Sequence, residues 1–212
     1  ENTKIIDLKL DNEILTINFS KEFLTVNETN EELMLEALIY SLTELKEIKK
    51  IKILVENIPF TKLPNSNKKL PEYLDKTYGI NKIYNLNSLK ETSKITIYYL
   101  SKINDYYYYV PVTKVSNEKL ERVEIIIKEL KSTPIYHTNL ISYLKASANM
   151  TNYELLENAI SLSFNNYLIA NMKEEQILEE VKYSIALSLR DTYGINEVIF
   201  NIPDSENSKI SI

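Results

Sequence analysis

Residues 183–203 read YSIALSLRDTYGINEVIFNIP, and this stretch decides the fold. It indicates the end of an amphipathic helix, a glycine stop and a buried strand that finishes at proline. Residues 40–59, YSLTELKEIKKIKILVENIP, follow the same order and close on the same Asn-Ile-Pro triplet. Self-similarity of this kind within one chain predicts two copies of one α/β unit.

Two further matches extend the repeat toward the amino terminus. Residues 14–19 (ILTINF) match residues 159–164 (AISLSF), and the acidic pair at 31–32 matches the pair at 174–175. We therefore expect 15–19 and 160–164 to form equivalent strands.

Hydrophobic periodicity predicts an α+β (α/β two-layer) fold. Helices with one apolar face are predicted at 31–47, capped by Asn30, at 117–131, capped by Asn117, and at 174–191. Strands are predicted within 4–19, with a turn at Asp11-Asn12, and at 51–55, 95–99, 106–114, 153–164 (straight or bent) and 197–202, and the ambiguous segment 140–148 is read as a further strand. From residue 117 onward the order is helix, strand, strand, helix, strand.

The domain organisation follows from these elements. We predict a first domain at 1–60, a connector with a short helix at 61–93, and a second domain at 94–212. The first domain lacks a counterpart of the strands and helix at 95–131. We therefore expect an amino-terminally incomplete copy in which Ile6, Leu8 or Leu42 is exposed, unless the connector covers them.

Composition excludes several classes of function. The formal net charge is −5, Arg occurs only at Arg122 and Arg190, and there is no Cys. A nucleic-acid binder needs clustered cations, so no nucleic-acid partner is expected. Disulfides, thiolate nucleophiles and Cys-ligated metals are excluded. No apolar run reaches the roughly 18 residues that a membrane-spanning helix needs.

Glycine is scarce: Gly79 and Gly194 are the two present, each within the pentapeptide Thr-Tyr-Gly-Ile-Asn. Phosphate-binding loops and dinucleotide fingerprints need two or three closely spaced glycines, so neither motif exists here. A glycine just past a helix adopts a left-handed conformation without a Cβ clash. We interpret both glycines as helix stops.

Catalytic chemistry finds little support. The single histidine, His137, has no second histidine with which to bind zinc, and nothing marks it as part of a triad. The acidic pairs on the predicted helices suit the helix dipole and a solvated face. We predict no catalytic residue, no cofactor and no metal site.

A tyrosine-rich hairpin remains as a candidate site. On a strand, neighbouring side chains point to opposite faces, so about half of the row would be exposed. An exposed half could stack on sugars, bases or the apolar surface of a partner; alternatively, tyrosine serves here only as a strand former. The candidate residues are Tyr98, Tyr106, Tyr107, Tyr108 and Tyr109.

Several segments resemble the GerM family of sporulation and germination proteins. They are YYVPVTK at 108–114 after ITIYYL at 95–100, LTINFSKEF at 15–23, and YGIN at 78–81. The resemblance implies two tandem domains with a ring-building-motif-like fold, which agrees with the predicted element order. At 164–167 the chain has FNNY where Phe-Ser-x-x-Phe is typical, so the second copy departs from the pattern.

The resemblance also implies a location and a role. Such a protein is expected to be a lipid-anchored, extracytoplasmic lipoprotein that helps assemble a channel or ring complex between mother cell and forespore. Its partners would be protein components of that sporulation channel, or further copies of itself. No lipid-carrying Cys is present in this chain, so contact with the membrane would require an anchor outside it. A peptidoglycan- or ligand-binding module that uses the Tyr-rich strand is the alternative.

Overall fold

The computed structural model describes residues 2–88, 90–132, 139–169, 176–203, 205 and 207–212. The chain divides into a first unit of residues 1–81 and a second unit of residues 82–212. The predicted connector is thus shared between the two units. Its residues Leu63, Leu70 and Leu74 are buried in the core of the first unit, whereas its residues 83–85 form a strand of the second.

The first unit is a four-stranded sheet covered by one helix. Its elements are β1 (Ile5–Asp11), β2 (Ile14–Phe19), α1 (Glu28–Thr43), β3 (Lys50–Val55) and β4 (Ile58–Pro59). The strands lie in the order β1-β2-β3-β4, with β2 and β3 parallel and the other two pairs antiparallel.

Local chemistry sets the ends of these elements. The β1–β2 turn is formed by Asn12 and Glu13, both at positive φ, one residue later than predicted. Helix α1 begins one turn earlier than predicted, because Asn27 and not Asn30 supplies the cap. The Asn27 side chain accepts the backbone N–H of Asn30 at 2.9 Å, which satisfies an otherwise orphan helix donor.

The core of the first unit lies between α1 and the sheet. Leu35 and Ile39 of α1 are fully buried, as is Ile51 of β3. The segment that was predicted as a connector covers one side of this core, since its Leu74 exchanges backbone hydrogen bonds of 2.8 Å and 2.9 Å with Ile51. The short helix predicted within the connector is reduced to a 3₁₀ turn, Lys76–Tyr78.

The second unit contains two four-stranded sheets. The first sheet has the order β5-β7-β6-β8 and the second the order β12-β11-β10-β9. The elements in chain order are β5 (Ile83–Asn85), β6 (Ser93–Ile103), β7 (Tyr106–Ser116), α2 (Arg122–Leu130), β8 (Leu140–Ile141), β9 (Met150–Leu155), β10 (Ala159–Phe164), α3 (Glu179–Tyr193), β11 (Glu197–Asn201) and β12 (Ser208–Ser211).

The predicted helix, strand, strand, helix, strand order is present as α2-β9-β10-α3-β11, but the segment 153–164, predicted as one strand, belongs to the antiparallel pair β9–β10, and 140–148 contains the short strand β8. Helix α2 starts at Arg122, not after Asn117, because Glu121 and Glu124 form a reciprocal capping box. Asn117 instead accepts the backbone N–H of Asn87 at 3.0 Å. The predicted start of the last helix, with Glu174 and Glu175, lies outside the described residues, and α3 is described from Glu179.

The two units share one strand arrangement. The parallel pair β2–β3 of the first unit corresponds to the parallel pair β10–β11 of the second, each flanked by antiparallel neighbours. The expected equivalence of 15–19 and 160–164 is therefore confirmed. The Asn-Ile-Pro triplets, however, are not equivalent. Asn57 lies in a left-handed turn after β3, whereas Asn201 is the last residue of β11.

The prediction that both glycines end helices is confirmed for an α-helix at Gly194 and for a short 3₁₀ turn at Gly79. Gly194 ends α3 in the left-handed conformation, with φ 70° and ψ 24°, and its N–H donates to the Arg190 carbonyl at 2.7 Å. Gly79 follows the 3₁₀ turn with φ 88° and ψ 162°. Both conformations disfavour residues that carry a Cβ.

Strand β1 carries an uncovered apolar face. Ile6 is 48% exposed and Leu8 is 56% exposed, while Leu42 of α1 is half-buried. In the second unit the equivalent strand, β9, is also largely exposed: Leu155 is 53% exposed, whereas Tyr153 is half-buried against the core. Because both edge strands are largely exposed, the exposure of Ile6 and Leu8 does not show that a covering helix is missing, and the incompleteness of the first unit stays a prediction.

Candidate interaction surface

The β6–β7 hairpin extends beyond the core of the second unit. Near its base, Ile97 pairs with Val112 and both are buried. Toward its tip, Ile103 pairs with Tyr106, next to a turn in which Asn104 has a positive φ of 55°. The long antiparallel ladder therefore carries its last residues out of the packed interior and into solvent.

One face of the hairpin tip is an exposed aromatic shelf. Tyr106 is 70% exposed and Tyr108 is 50% exposed, and they share a face because they are two residues apart on β7. Ile103, opposite Tyr106, is 56% exposed. We call Ile103, Tyr106 and Tyr108 the hairpin shelf. The prediction that part of the tyrosine row faces solvent is met by these residues.

The opposite face carries Tyr107, which is 37% exposed, and Tyr109, which is half-buried. The Tyr107 ring meets that of Tyr143 edge-on at 6.0 Å, and their hydroxyl groups are 2.8 Å apart. Tyr109 is half-buried 5.8 Å from the Tyr183 ring of α3, and burial with the nearby Glu180 raises the pKa of Tyr109 to about 12. These contacts hold the hairpin in place from one side.

Tyr98 does not belong to the exposed set. Its side chain is 6% exposed, and its hydroxyl donates to an Asp191 carboxylate oxygen at 2.6 Å. Its backbone N–H donates to the Ser188 hydroxyl at 2.9 Å. Tyr98 therefore links β6 to α3 through hydrogen bonds. The prediction that Tyr98 belongs to an exposed interaction surface is wrong.

Small residues on α3 allow this close contact between β6 and α3. Ser184 and Ser188 lie one turn apart on α3 and are both buried. The Ser188 hydroxyl donates to the Ser184 carbonyl at 2.6 Å while it accepts the Tyr98 N–H, so the hydroxyl bridges helix and strand. Both serines lie within the predicted helix 174–191, but hydrophobic periodicity carries no signal for this polar bridge.

A buried ion cluster that the sequence analysis missed supports the base of the hairpin. Lys114 of β7 is 7% exposed and contacts the carboxylates of Glu118 and Glu129, the latter at 2.6 Å. Burial alone would lower the pKa of Lys114, but the hydrogen bonds and charges of the two glutamates outweigh it and raise that pKa. The feature of the sequence that could have indicated this cluster is a lysine within the apolar run 110–115.

The hairpin shelf can bind by stacking and by apolar contact. Its side chains carry two phenol groups and no formal charge, and the ammonium group of Lys102 lies 5.7 Å from the Tyr107 ring on the other face. Among the described residues, no group of three or more His, Asp or Glu side chains is arranged to hold a metal ion. His137 lies outside the described residues, so the prediction for it is untested.

In the part of the chain that the structure describes, no helix is both long and apolar enough to cross a membrane.

These features define a tandem-repeat α+β protein whose candidate site is a projecting aromatic hairpin. Residues 1–61 match the family model named Germane, for sporulation and spore germination. The chain is 26% identical over 203 residues to the spore germination protein GerM of Bacillus subtilis (strain 168), covering 93% of this chain and 55% of that protein. It thus spans about half the length of that relative.

A solved structure agrees with the sequence comparison. The tandem GerMN domains of the sporulation protein GerM from Bacillus subtilis match with a TM-score of 0.86 and 22% identity, covering 97% of this chain and 72% of that one. At this identity the likeness shows the fold. With the family model and the curated relative, it confirms the predicted resemblance to the GerM family and the tandem arrangement.

Proposed function

We propose that this chain is a non-enzymatic assembly module of sporulation that uses the hairpin shelf to bind a protein partner. The observation that carries the proposal is the exposure of Tyr106 and Tyr108 beside Ile103, on a hairpin whose other face contacts the rings of Tyr143 and Tyr183. Aromatic residues are enriched at protein interfaces, and a rigid support lowers the entropy lost on binding.

The similarity to a spore germination protein supplies the biological setting for this proposal. The partners would be components of an extracytoplasmic channel or ring complex between mother cell and forespore, or further copies of the chain. The full-length product would reach that compartment as a membrane-anchored lipoprotein. Labelling of the full-length product with a radioactive fatty acid tests the anchor, and absence of label would contradict it.

The direct test replaces Tyr106 and Tyr108 together by Ser and measures partner binding by mass photometry and pull-down on purified channel components. The matched control is Tyr84→Ser, since Tyr84 is 61% exposed on β5 of the same unit. We expect the double variant to lose binding at least tenfold while the control binds as the wild type does. Equal binding by all three proteins would contradict the proposal.

A ligand-binding role is the second candidate. Tyr106 and Tyr108 lie about 7 Å apart on one strand face, which lets two rings offer a platform to successive sugar units. Sedimentation with purified peptidoglycan distinguishes this role from the first. Co-sedimentation that is lost in the double variant and kept in Tyr84→Ser would favour the ligand-binding role over protein assembly.

A further inference from the structure

Strand β1 of the first unit has an apolar face, and among the described strands it pairs with β2 alone. It lies at the end of the described β1-β2-β3-β4 sheet. Its side chains alternate, with Ile6, Leu8 and Leu10 apolar and Asp7, Lys9 and Asp11 charged. Leu10 is 49% exposed, and all seven residues of the strand are exposed. Proline, a bulge, charged side chains or a covering helix protects many such edges; in β1 the register shift lies at its start, between Ile5 and Asp7, and the charged residues alternate with the apolar ones.

The backbone groups that β1 presents outward follow from the pairing of β2. The Phe19 carbonyl accepts the N–H of Glu56 at 2.9 Å and the Glu13 carbonyl accepts that of Lys49 at 2.8 Å, both on the β3 side. Residues alternate in direction along a strand, so the intervening residues of β2 bond to their β1 partners Asp7, Lys9 and Asp11. Leu8 and Leu10 consequently direct their N–H and C=O groups to the free edge.

We infer that β1 pairs antiparallel with β1 of a second copy of this chain, in the register centred on Leu8. This register places Leu8 opposite Leu8 of the second copy and Ile6 opposite its Leu10. It also places Asp7 opposite Lys9 of the other chain, twice, by symmetry. Opposite charges directly across a strand pair stabilise it by about 0.2–1 kcal/mol each.

The neighbouring registers are disfavoured by charge. A register centred on Asp7 sets two aspartates against each other, and one centred on Lys9 sets two lysines against each other and Asp7 against Asp11. Only a two-fold antiparallel arrangement is closed, with the same surface used on both copies. The pairing also brings the two apolar rows side by side, which reduces the exposure of both. The inference goes beyond the proposed function, because it assigns self-association to β1 of the first unit and does not involve the hairpin shelf.

The absence of Cys from the chain allows a clean crosslinking test. In the centred register the two Leu8 Cα atoms lie about 5.5 Å apart, within disulfide reach, whereas the two Leu10 Cα atoms lie about 13 Å apart. We expect Leu8→Cys to form a disulfide dimer under mild oxidation and Leu10→Cys to remain monomeric. Equal crosslinking of the two variants, or no crosslinking of Leu8→Cys, would overturn the inference.

Charge exchange tests the same register without a covalent bond. Lys9→Asp and Asp7→Lys should each weaken dimerisation about tenfold or more by sedimentation equilibrium, and the double exchange should restore it. A failure of the double variant to recover, or a wild-type chain that stays monomeric at high concentration, contradicts the pairing. If a helix from another protein docks on this face instead, Leu8→Cys will not form a disulfide dimer, and that result also contradicts the pairing. Unchanged dimerisation of the Tyr106/Tyr108 double variant separates this result from the proposed function.

Discussion

Glu31, in the first turn of α1, holds residues 65 and 66 against the first unit. Its carboxylate accepts the backbone N–H of Asn65 at 2.8 Å and that of Ser66 at 3.0 Å. Burial raises the pKa of Glu31, but hydrogen bonds from Ser66 and Asn65 outweigh it and lower the pKa from 4.5 to about 2. One carboxylate therefore ties the segment that follows β4 to the start of a helix.

The first prediction is an acid-dependent loss of stability at this clamp. Because the pKa of Glu31 is lower in the folded state than its ordinary 4.5, the ionised carboxylate stabilises the fold above about pH 4.5. That contribution is lost as pH falls from about 4.5 toward 2. Urea unfolding at pH 7 and pH 3 should show a smaller pH dependence in Glu31→Gln than in the wild type. An identical pH dependence would contradict the clamp.

The second prediction concerns the end of α3. An added Cβ at Gly194 meets no atom within 4 Å, so the cost of a substitution there comes from its φ of +70° alone. Gly194→Ala should lower the free energy of unfolding by about 1–2 kcal/mol, and Gly194→Asn by less, because Asn tolerates the left-handed region. Chemical denaturation measures both. Equal losses for Ala and Asn would show that some other effect dominates.

The third prediction tests the fastening of β6 to α3. Tyr98→Phe removes the hydroxyl that bonds to Asp191 and should lower the free energy of unfolding by about 1–2 kcal/mol. Tyr106→Phe, at the exposed tip, is the control and should change it by less than about 0.5 kcal/mol. If the two variants unfold alike, the Tyr98–Asp191 bond contributes nothing to stability.

The strands and helices with strong periodicity could be predicted from the sequence. The alternation in 14–19 and 159–164 and the apolar faces of the helices identified the equivalent strands and the element order. Helix starts were less predictable, because Asn27 and Asn30 are both good caps and the sequence alone does not distinguish them; the structure uses Asn27. Strand β12 was missed, since four residues, SKIS, carry too little pattern.

The candidate site was only half predictable. Alternation shows that the tyrosine row divides between two faces, but it does not reveal which face another element covers. Tyr143 and Tyr183, which cover the inner face, are distant in sequence from Tyr107 and Tyr109. The burial of Tyr98 likewise depends on Ser188 and Asp191 of a later helix.

The most direct measurement of the central claim is the yield of heat-resistant spores after replacement of the chromosomal gene. Strains would carry the wild type, Tyr106→Ser with Tyr108→Ser, or the Tyr84→Ser control, with equal protein levels checked by immunoblot. The account predicts a yield reduced at least tenfold in the double variant alone. A wild-type yield from the double variant at equal protein level would contradict the claim that the hairpin shelf serves assembly during sporulation.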